Sequence, residues 1–130
     1  MNFYVADTHA VFWYLTNSPL LGAGANSAFD DADKGQALIY LPAIVIAELY
    51  FLNEKKQYPI DFGAIYSQFE MSAQFVVLPF FPATVLGFDA CRSVKEMHDR
   101  MIVADARRLD ATLITRDREV TSSGLVRTIW

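Results

Sequence analysis

The sequence predicts an α/β fold: a three-layer α/β/α domain over residues 1–130, built on a central parallel sheet of four or five strands. Three observations predict it. Short apolar runs alternate with longer segments free of helix breakers. Prolines and glycines fall between these segments rather than inside them. The connections between successive apolar runs are long enough for right-handed crossovers. A chain of 130 residues amounts to one domain and can bury a core.

The first apolar run, residues 3–6, ends at an acid and reads as a buried strand. Residues 8–15 carry apolar side chains without breakers and fit a helix. Pro19 and Gly22 mark a turn, and residues 23–33 fit a second helix. Residues 37–41 form the next strand. Pro42 closes it and suits the first turn of a helix running to about residue 56. Pro59 separates that helix from another over residues 62–72. Residues 75–78 are a third strand, ended by Pro79, and a helix is expected over residues 82–93. A further helix covers residues 99–109. Residues 112–115 are the fourth strand and residues 126–129 a short fifth.

Composition narrows the function classes. Apolar residues make up 53 % of the chain, which implies well-covered internal strands and an apolar surface for association. The single cysteine, Cys91, excludes an internal disulfide, points to a reducing cytoplasmic setting and reads as a small core residue. The apolar N-terminus lacks a basic start and is interrupted by Asp7 and His9, so it does not read as a signal peptide. No stretch approaches the ~20 apolar residues of a membrane span, and a soluble protein is expected. The net charge of −4 argues against a broadly basic nucleic-acid surface. Eight of the eleven basic residues nevertheless fall between Arg92 and Arg127; that concentration is either a functional patch or an ordinary solvated face.

Ligands of open parallel sheets bind beyond the carboxyl ends of the strands, so the residues after each strand carry the functional question. Asp7 follows the first strand directly, and Asp117 lies two residues beyond Thr115. If those strands are neighbours, both carboxylates reach one crevice; either alone is equally a turn acid. Glu48 sits within the apolar stretch of residues 43–52 and shares a helical face with Ile44, Phe51 and Leu52. That face is expected to point at the core. A carboxylate there needs a cation, an arginine or water. Asp99 begins a predicted helix, where the helix dipole favours an acid, and by itself it is as readily a cap. Asp105 reads as solvated or paired with an arginine.

Carboxylates converging on one cleft repel each other, and hard divalent cations relieve that repulsion. An all-oxygen set suits Mg2+ or Mn2+ better than Zn2+, and two histidines with one cysteine supply no zinc motif. Such ions activate water and stabilise the leaving oxygen of a phosphodiester.

Four segments carry a family resemblance: residues 5–10 (Val-Ala-Asp-Thr-His-Ala), residues 43–49 with Glu48, residues 98–104 (His-Asp-Arg-Met-Ile-Val-Ala) and residues 115–119 (Thr-Arg-Asp-Arg-Glu). In this order and spacing the chain resembles the PIN-domain family, and most of all the VapC-type toxin ribonucleases of type II toxin–antitoxin pairs. The resemblance implies Asp7, Glu48, Asp99 and Asp117 as catalytic, metal-binding acids. It implies Thr8 and Thr115 as groups that orient them, and Glu119 as a supporting acid; each has a bland alternative as a local cap or a solvated helix start. Arg100, Arg116 and Arg118 become candidates for RNA phosphate contact, or for pairing with neighbouring acids, and His9 belongs to the first motif. Where many relatives have glycine before the fourth strand this chain has Asp110, a residue that tolerates a left-handed helix end. The resemblance further implies an RNA substrate, a homodimer and a cognate antitoxin; Trp13, Tyr14, Tyr50 and Phe51 are aromatic candidates for such contacts, or core.

Two other readings compete. One is a non-catalytic PIN-fold module that binds RNA or protein, distinguished by an absence of metal binding and cleavage. The other is a phosphotransfer domain of similar topology. That reading lacks the second aspartate two residues after Asp7, where His9 stands, and the lysine expected after a late strand.

Overall fold

The computed structural model describes residues 1–130. In chain order the elements are β1 (Asn2–Ala6), α1 (Thr8–Leu15), α2 (Ala23–Asp33), β2 (Ala37–Pro42), α3 (Ala43–Lys55), α4 (Phe62–Met71), β3 (Phe75–Leu78), α5 (Met97–Arg108), β4 (Thr112–Ile114), α6 (Arg118–Ser123) and β5 (Thr128–Ile129). All strand pairs are parallel, in the order β3-β2-β1-β4-β5, and helices flank the sheet. The predicted α/β architecture, with four or five parallel strands expected, is the observed one, and the sheet has five.

The chain builds outward from β1 through β2 to β3, then returns to the other side of β1 for β4 and β5. That reversal makes β1 and β4 neighbours, with Ala6 opposite Ile114. It opens a crevice at their carboxyl ends. The hydrophobic core is one cluster of 27 buried residues. Val5 and Ala6 on β1, Ile39 and Leu41 on β2, and Leu113 and Ile114 on β4 are all essentially inaccessible. Central parallel strands are covered on both faces, which is why these runs are continuously apolar.

Two expectations need correction. Residues 82–93 form two short 3₁₀ turns, Pro82–Gly87 and Asp89–Cys91, instead of an α-helix. Only Thr84 and Cys91 are buried within them, so no apolar stripe exists to hold a longer helix on the core. The second concerns α3. Its buried face is Val45, Leu49 and Asn53, spaced by four residues, and Phe51 is 65 % exposed. Glu48 therefore does not interrupt a core face. It projects from the neighbouring, half-open face, where its desolvation cost is smaller.

Helix α5 begins two residues before the expected start. Glu96 is its N-cap, accepting the Asp99 N–H at 2.7 Å. Beyond its C-terminus Asp110 adopts φ 49°, the left-handed turn anticipated at this position. No helix is long and apolar enough to cross a membrane.

Candidate active site

Each strand-end acid is fixed by the helix it starts. The Asp7 N–H donates to the Ile114 carbonyl at 3.1 Å, extending the β1–β4 ladder by one residue. Its side chain then caps α1, Oδ1 accepting the Ala10 N–H at 2.9 Å. Asp117 does the same for α6, accepting the Val120 N–H at 2.9 Å. Its own N–H donates to Thr115 Oγ1 at 3.1 Å. Capping occupies one carboxylate oxygen of each acid, and the Thr115 hydroxyl also hydrogen-bonds Asp7.

Glu48 and Asp99 come in from helices. The Thr8 hydroxyl donates to Glu48 Oε1 at 2.8 Å, tying α1 to α3 across the cleft. Asp99 stands in the first turn of α5. All four acids line one cleft of about 740 Å³, together with His9, Trp13, Glu96, His98 and Arg116. The structure thus brings Asp7, Thr8, Glu48, Asp99, Asp117 and Arg116 to one place. Thr115 is buried beneath them at 2 % exposure.

The electrostatics record the crowding. Burial pushes the Asp99 carboxyl up to about 6, and the charges of Asp117, Glu96, Glu48 and Asp7 push in the same direction. Burial also raises Asp7, with the Asp117 charge adding to the effect. The Thr115 hydroxyl, the Ala10 N–H and His9 oppose it. Burial alone would raise Glu96 too, but the N–H groups of Asp99 and His98 and the nearby His98 ring outweigh it and hold Glu96 below the usual range.

Glu96 and His98 were not singled out as site residues in the sequence. His98 Nδ1 lies 3.0 Å from Glu96 Oε1 and 3.8 Å from Glu48 Oε2, so it bridges the two glutamates. The signal that could have found Glu96 is its position three residues before Asp99 at the start of an amphipathic helix, a capping pattern.

Other candidates are engaged elsewhere. The Arg100 guanidinium does not reach the cleft as a phosphate contact. Its Nε donates to the Val94 carbonyl at 2.6 Å and its Nη2 to the Arg92 carbonyl at 3.4 Å, fastening the segment before α5. Glu119 accepts the Lys95 N–H and anchors that same segment to α6. Arg118 is exposed and does not line the cleft. Asp105 is buried, with 3.4 Å between its Oδ1 and Arg108 Nη2; the solvated alternative is excluded.

The side chains as they stand form no ready cage of three ligands for a metal ion. The donor chemistry fits one all the same. Four carboxylates share a cleft, and burial first and the neighbouring acids second disfavour the Asp99 charge, a penalty that a bound divalent cation would offset. A second cavity, of about 690 Å³, lies at the opposite, amino-terminal edge of β4; Asp110 is the one acid in its lining, so it offers no comparable chemistry.

An all-parallel α/β sheet with carboxylates gathered at its switch point defines a class of acidic-cleft domain. Within that class, the model of the PIN domain matches residues 4–122, and the chain belongs to the PIN-domain family. Solved structures agree on the fold. VapBC2 from Rickettsia felis, bound to a DNA fragment from its promoter, superposes with a TM-score of 0.72 at 16 % identity, covering 97 % of this chain and 96 % of that one. DNA-bound VapBC from Salmonella typhimurium gives 0.71 at 18 % identity, covering 98 % and 97 %. VapC20 from Mycobacterium tuberculosis, a sarcin-ricin-loop-cleaving toxin, gives 0.69 at 11 % identity, covering 98 % and 99 %. Comparison with curated protein sequences gives no match.

Proposed function

We propose that this chain is a metal-dependent endoribonuclease, the toxin of a type II toxin–antitoxin pair. One observation carries the reading: four carboxylates from four separate elements line a single cleft at the β1–β4 switch point. An acidic cleft repels an RNA phosphate unless a cation lies between them. Membership of the PIN family and the likeness in fold to VapC20 support RNA as the polymer.

Mg2+ or Mn2+, held by Asp7, Glu48, Asp99 and Asp117, would supply Lewis acidity that activates water and steadies the leaving oxygen. The chain's own residues prepare that chemistry. Asp7 and Asp117 are preorganised by their caps, and the Thr115 hydroxyl further holds Asp7. Thr8 holds Glu48 in a single orientation, and Thr115 braces Asp117 from below. Asp99, pushed up to about 6 in the metal-free chain, is the carboxylate whose charged form a bound cation would favour. Arg116, at the cleft wall, takes a phosphate oxygen.

The partner is a cognate antitoxin that covers this cleft. Tyr50 and Phe51 on α3 are 45 % and 65 % exposed beside it and offer the apolar anchors of such an interface. Tyr14 is excluded from that role, because it stacks on Phe29 with ring centres 4.1 Å apart. We place the protein in the cytoplasm as a homodimer; its single cysteine, Cys91, is buried.

The test is cleavage of a broad RNA panel with Mg2+ or Mn2+, with and without chelator, by the native chain and by Asp7→Asn. Cleavage should need the divalent ion and fall at least ~100-fold in the variant, whose circular dichroism stays native. Undiminished cleavage by Asp7→Asn would remove this site from consideration.

A further inference from the structure

Eight basic residues crowd residues 92–127, and the acidic cleft takes in one of them, Arg116. Three others, Arg107, Arg108 and Arg127, meet at the second cavity, the one of about 690 Å³ at the amino-terminal edge of β4. Arg107 and Arg108 stand in the last turn of α5, where the helix dipole favours a cation. That accounts for two of the three. It does not account for Arg127, which comes from the segment leading into β5. Asp110 is the one acid in the lining, so the walls carry three positive charges against one negative.

Each guanidinium is restrained without spending all its donors. Arg107 Nη1 donates to the Leu125 carbonyl at 2.7 Å, and Arg107 forms none of the structure's five ion pairs. Arg108 lies over Phe81, its guanidinium carbon 5.2 Å from the ring centre, with Nη2 3.4 Å from Asp105 Oδ1. Arg127 is tied to Asp110, Nη2 donating to its carbonyl at 3.0 Å and Nη1 to Oδ1 at 3.3 Å. Side chains already held lose little further freedom on binding. Their remaining in-plane N–H groups match the oxygens of a phosphate. Thr84 is an independent sign of a ligand. It belongs to the same wall, is 5 % exposed, and carries the one buried side-chain polar atom of the structure with no hydrogen-bond partner. Such an orphan hydroxyl is completed by something bound. Much of the remaining wall is small and apolar, with Ala83, Ala90, Ala104 and Ala111.

We infer that this cavity binds a free phosphate monoester of nucleotide size, its phosphate held by the arginines and its organic body against the alanine wall. The size follows from the volume, which suits a small organic ligand and far exceeds a bare phosphate. The charge follows from the walls. A phosphate monoester carries about −1.5 to −2 at neutral pH, which matches their excess of positive charge. The site lies away from the four acids and stands whether or not the chain cuts RNA.

The test is calorimetric titration of the native chain in chelator with adenosine 5′-monophosphate, and separately with adenosine and with inorganic phosphate. Chelator removes the cations that could bridge a phosphate to the acidic cleft. The nucleotide should bind at one site and more tightly than either half alone. Arg107→Gln should weaken it at least about tenfold, the loss expected for a charge-assisted hydrogen bond, and leave adenosine unaffected. Arg107 is exposed, and a thermal melt checks the fold; Arg127→Gln is the second variant. Thr84→Val should also weaken the nucleotide, while the melting temperature of the free protein holds or rises because the orphan hydroxyl is gone. That pairing separates a ligand contact from a purely structural role. No saturable binding at millimolar nucleotide, or affinity unchanged in both arginine variants, overturns the site. So does a loss caused by Arg116→Gln in place of Arg107→Gln, which would put the nucleotide in the acidic cleft. Tighter binding of a 5′-phosphorylated RNA strand than of the nucleotide would overturn it in favour of a chain end.

Discussion

At the scale of single residues, the cleft shows what an acid costs when it is placed for chemistry. Asp99 titrates near 6, where an ordinary aspartate titrates near 3.8. Its raised value means that the folded state disfavours the charged form. The contribution to metal-free stability is therefore complete below 3.8 and is lost as pH rises through about 6. Asp99→Asn removes that loss. In chelator at pH 7.5 the variant should melt several degrees above the native chain, with the gap closing as pH approaches 4. A lower melting temperature at pH 7.5 would mean that burial and the neighbouring acids do not disfavour the Asp99 charge as described. The same substitution should abolish metal-dependent cleavage, so stability and activity move in opposite directions.

Glu48 shows a different lesson at this scale. Its sequence neighbours are apolar, a setting that predicts a buried, conflicted carboxylate. The structure turns that face toward the cleft, with Phe51 largely exposed. What marks it is its bond to Thr8, 40 positions away, which no local pattern displays.

At the scale of elements, three of the four acids sit at helix N-termini. Asp7 and Asp117 are N-caps and Asp99 lies in a first turn. Helix starts place N–H groups and a favourable dipole next to a carboxylate, which offsets part of its burial. Helices α1, α5 and α6 thus converge their starts on the cleft. The start of α2 serves it indirectly, through Trp130, which packs against Gly22 and beside Arg116. Gly22→Ala forces that contact apart and should cost about 1–3 kcal/mol, the usual penalty for overpacking. Gly87→Ala is the matching control, because nothing lies within 4 Å of its added carbon. Urea titration of both, read by tryptophan fluorescence, checks the contrast; equal effects would mean that Trp130 is not seated as described.

At the scale of the whole molecule, the switch point couples fold to function. Reversing the winding between β1 and β4 brings residues 7 and 117 together, and the helices crossing back over the sheet deliver residues 48 and 99. An ion bound by all four clasps elements from both ends of the sequence. Saturating Mn2+ or Mg2+ should therefore stabilise the entire chain, by about 2.7 kcal/mol at a hundredfold excess over Kd, read as a higher unfolding temperature in one transition. Asp117→Asn should lose most of that gain. Two separate transitions would refute the expectation that residues 1–130 form one cooperative domain.

The sequence by itself determined the alternation of strands and helices, the positions of most element boundaries and the identity of the acids, because each depends on local periodicity, breakers and motif spacing. It misread residues 82–93, whose composition permits a helix but whose exposure gives a helix nothing to pack against. It left open whether β1 and β4 are neighbours, which hydrogen bonds turn and hold the carboxylates, and what the arginines touch. Only the tertiary structure decided that Arg100 is spent on backbone carbonyls and that Arg116 rests on two tryptophans from opposite ends of the chain. The physical reason is one of range. Strand and helix formation are written within a few residues, whereas the partner of a charged side chain is set by which distant segments the crossover brings to its side.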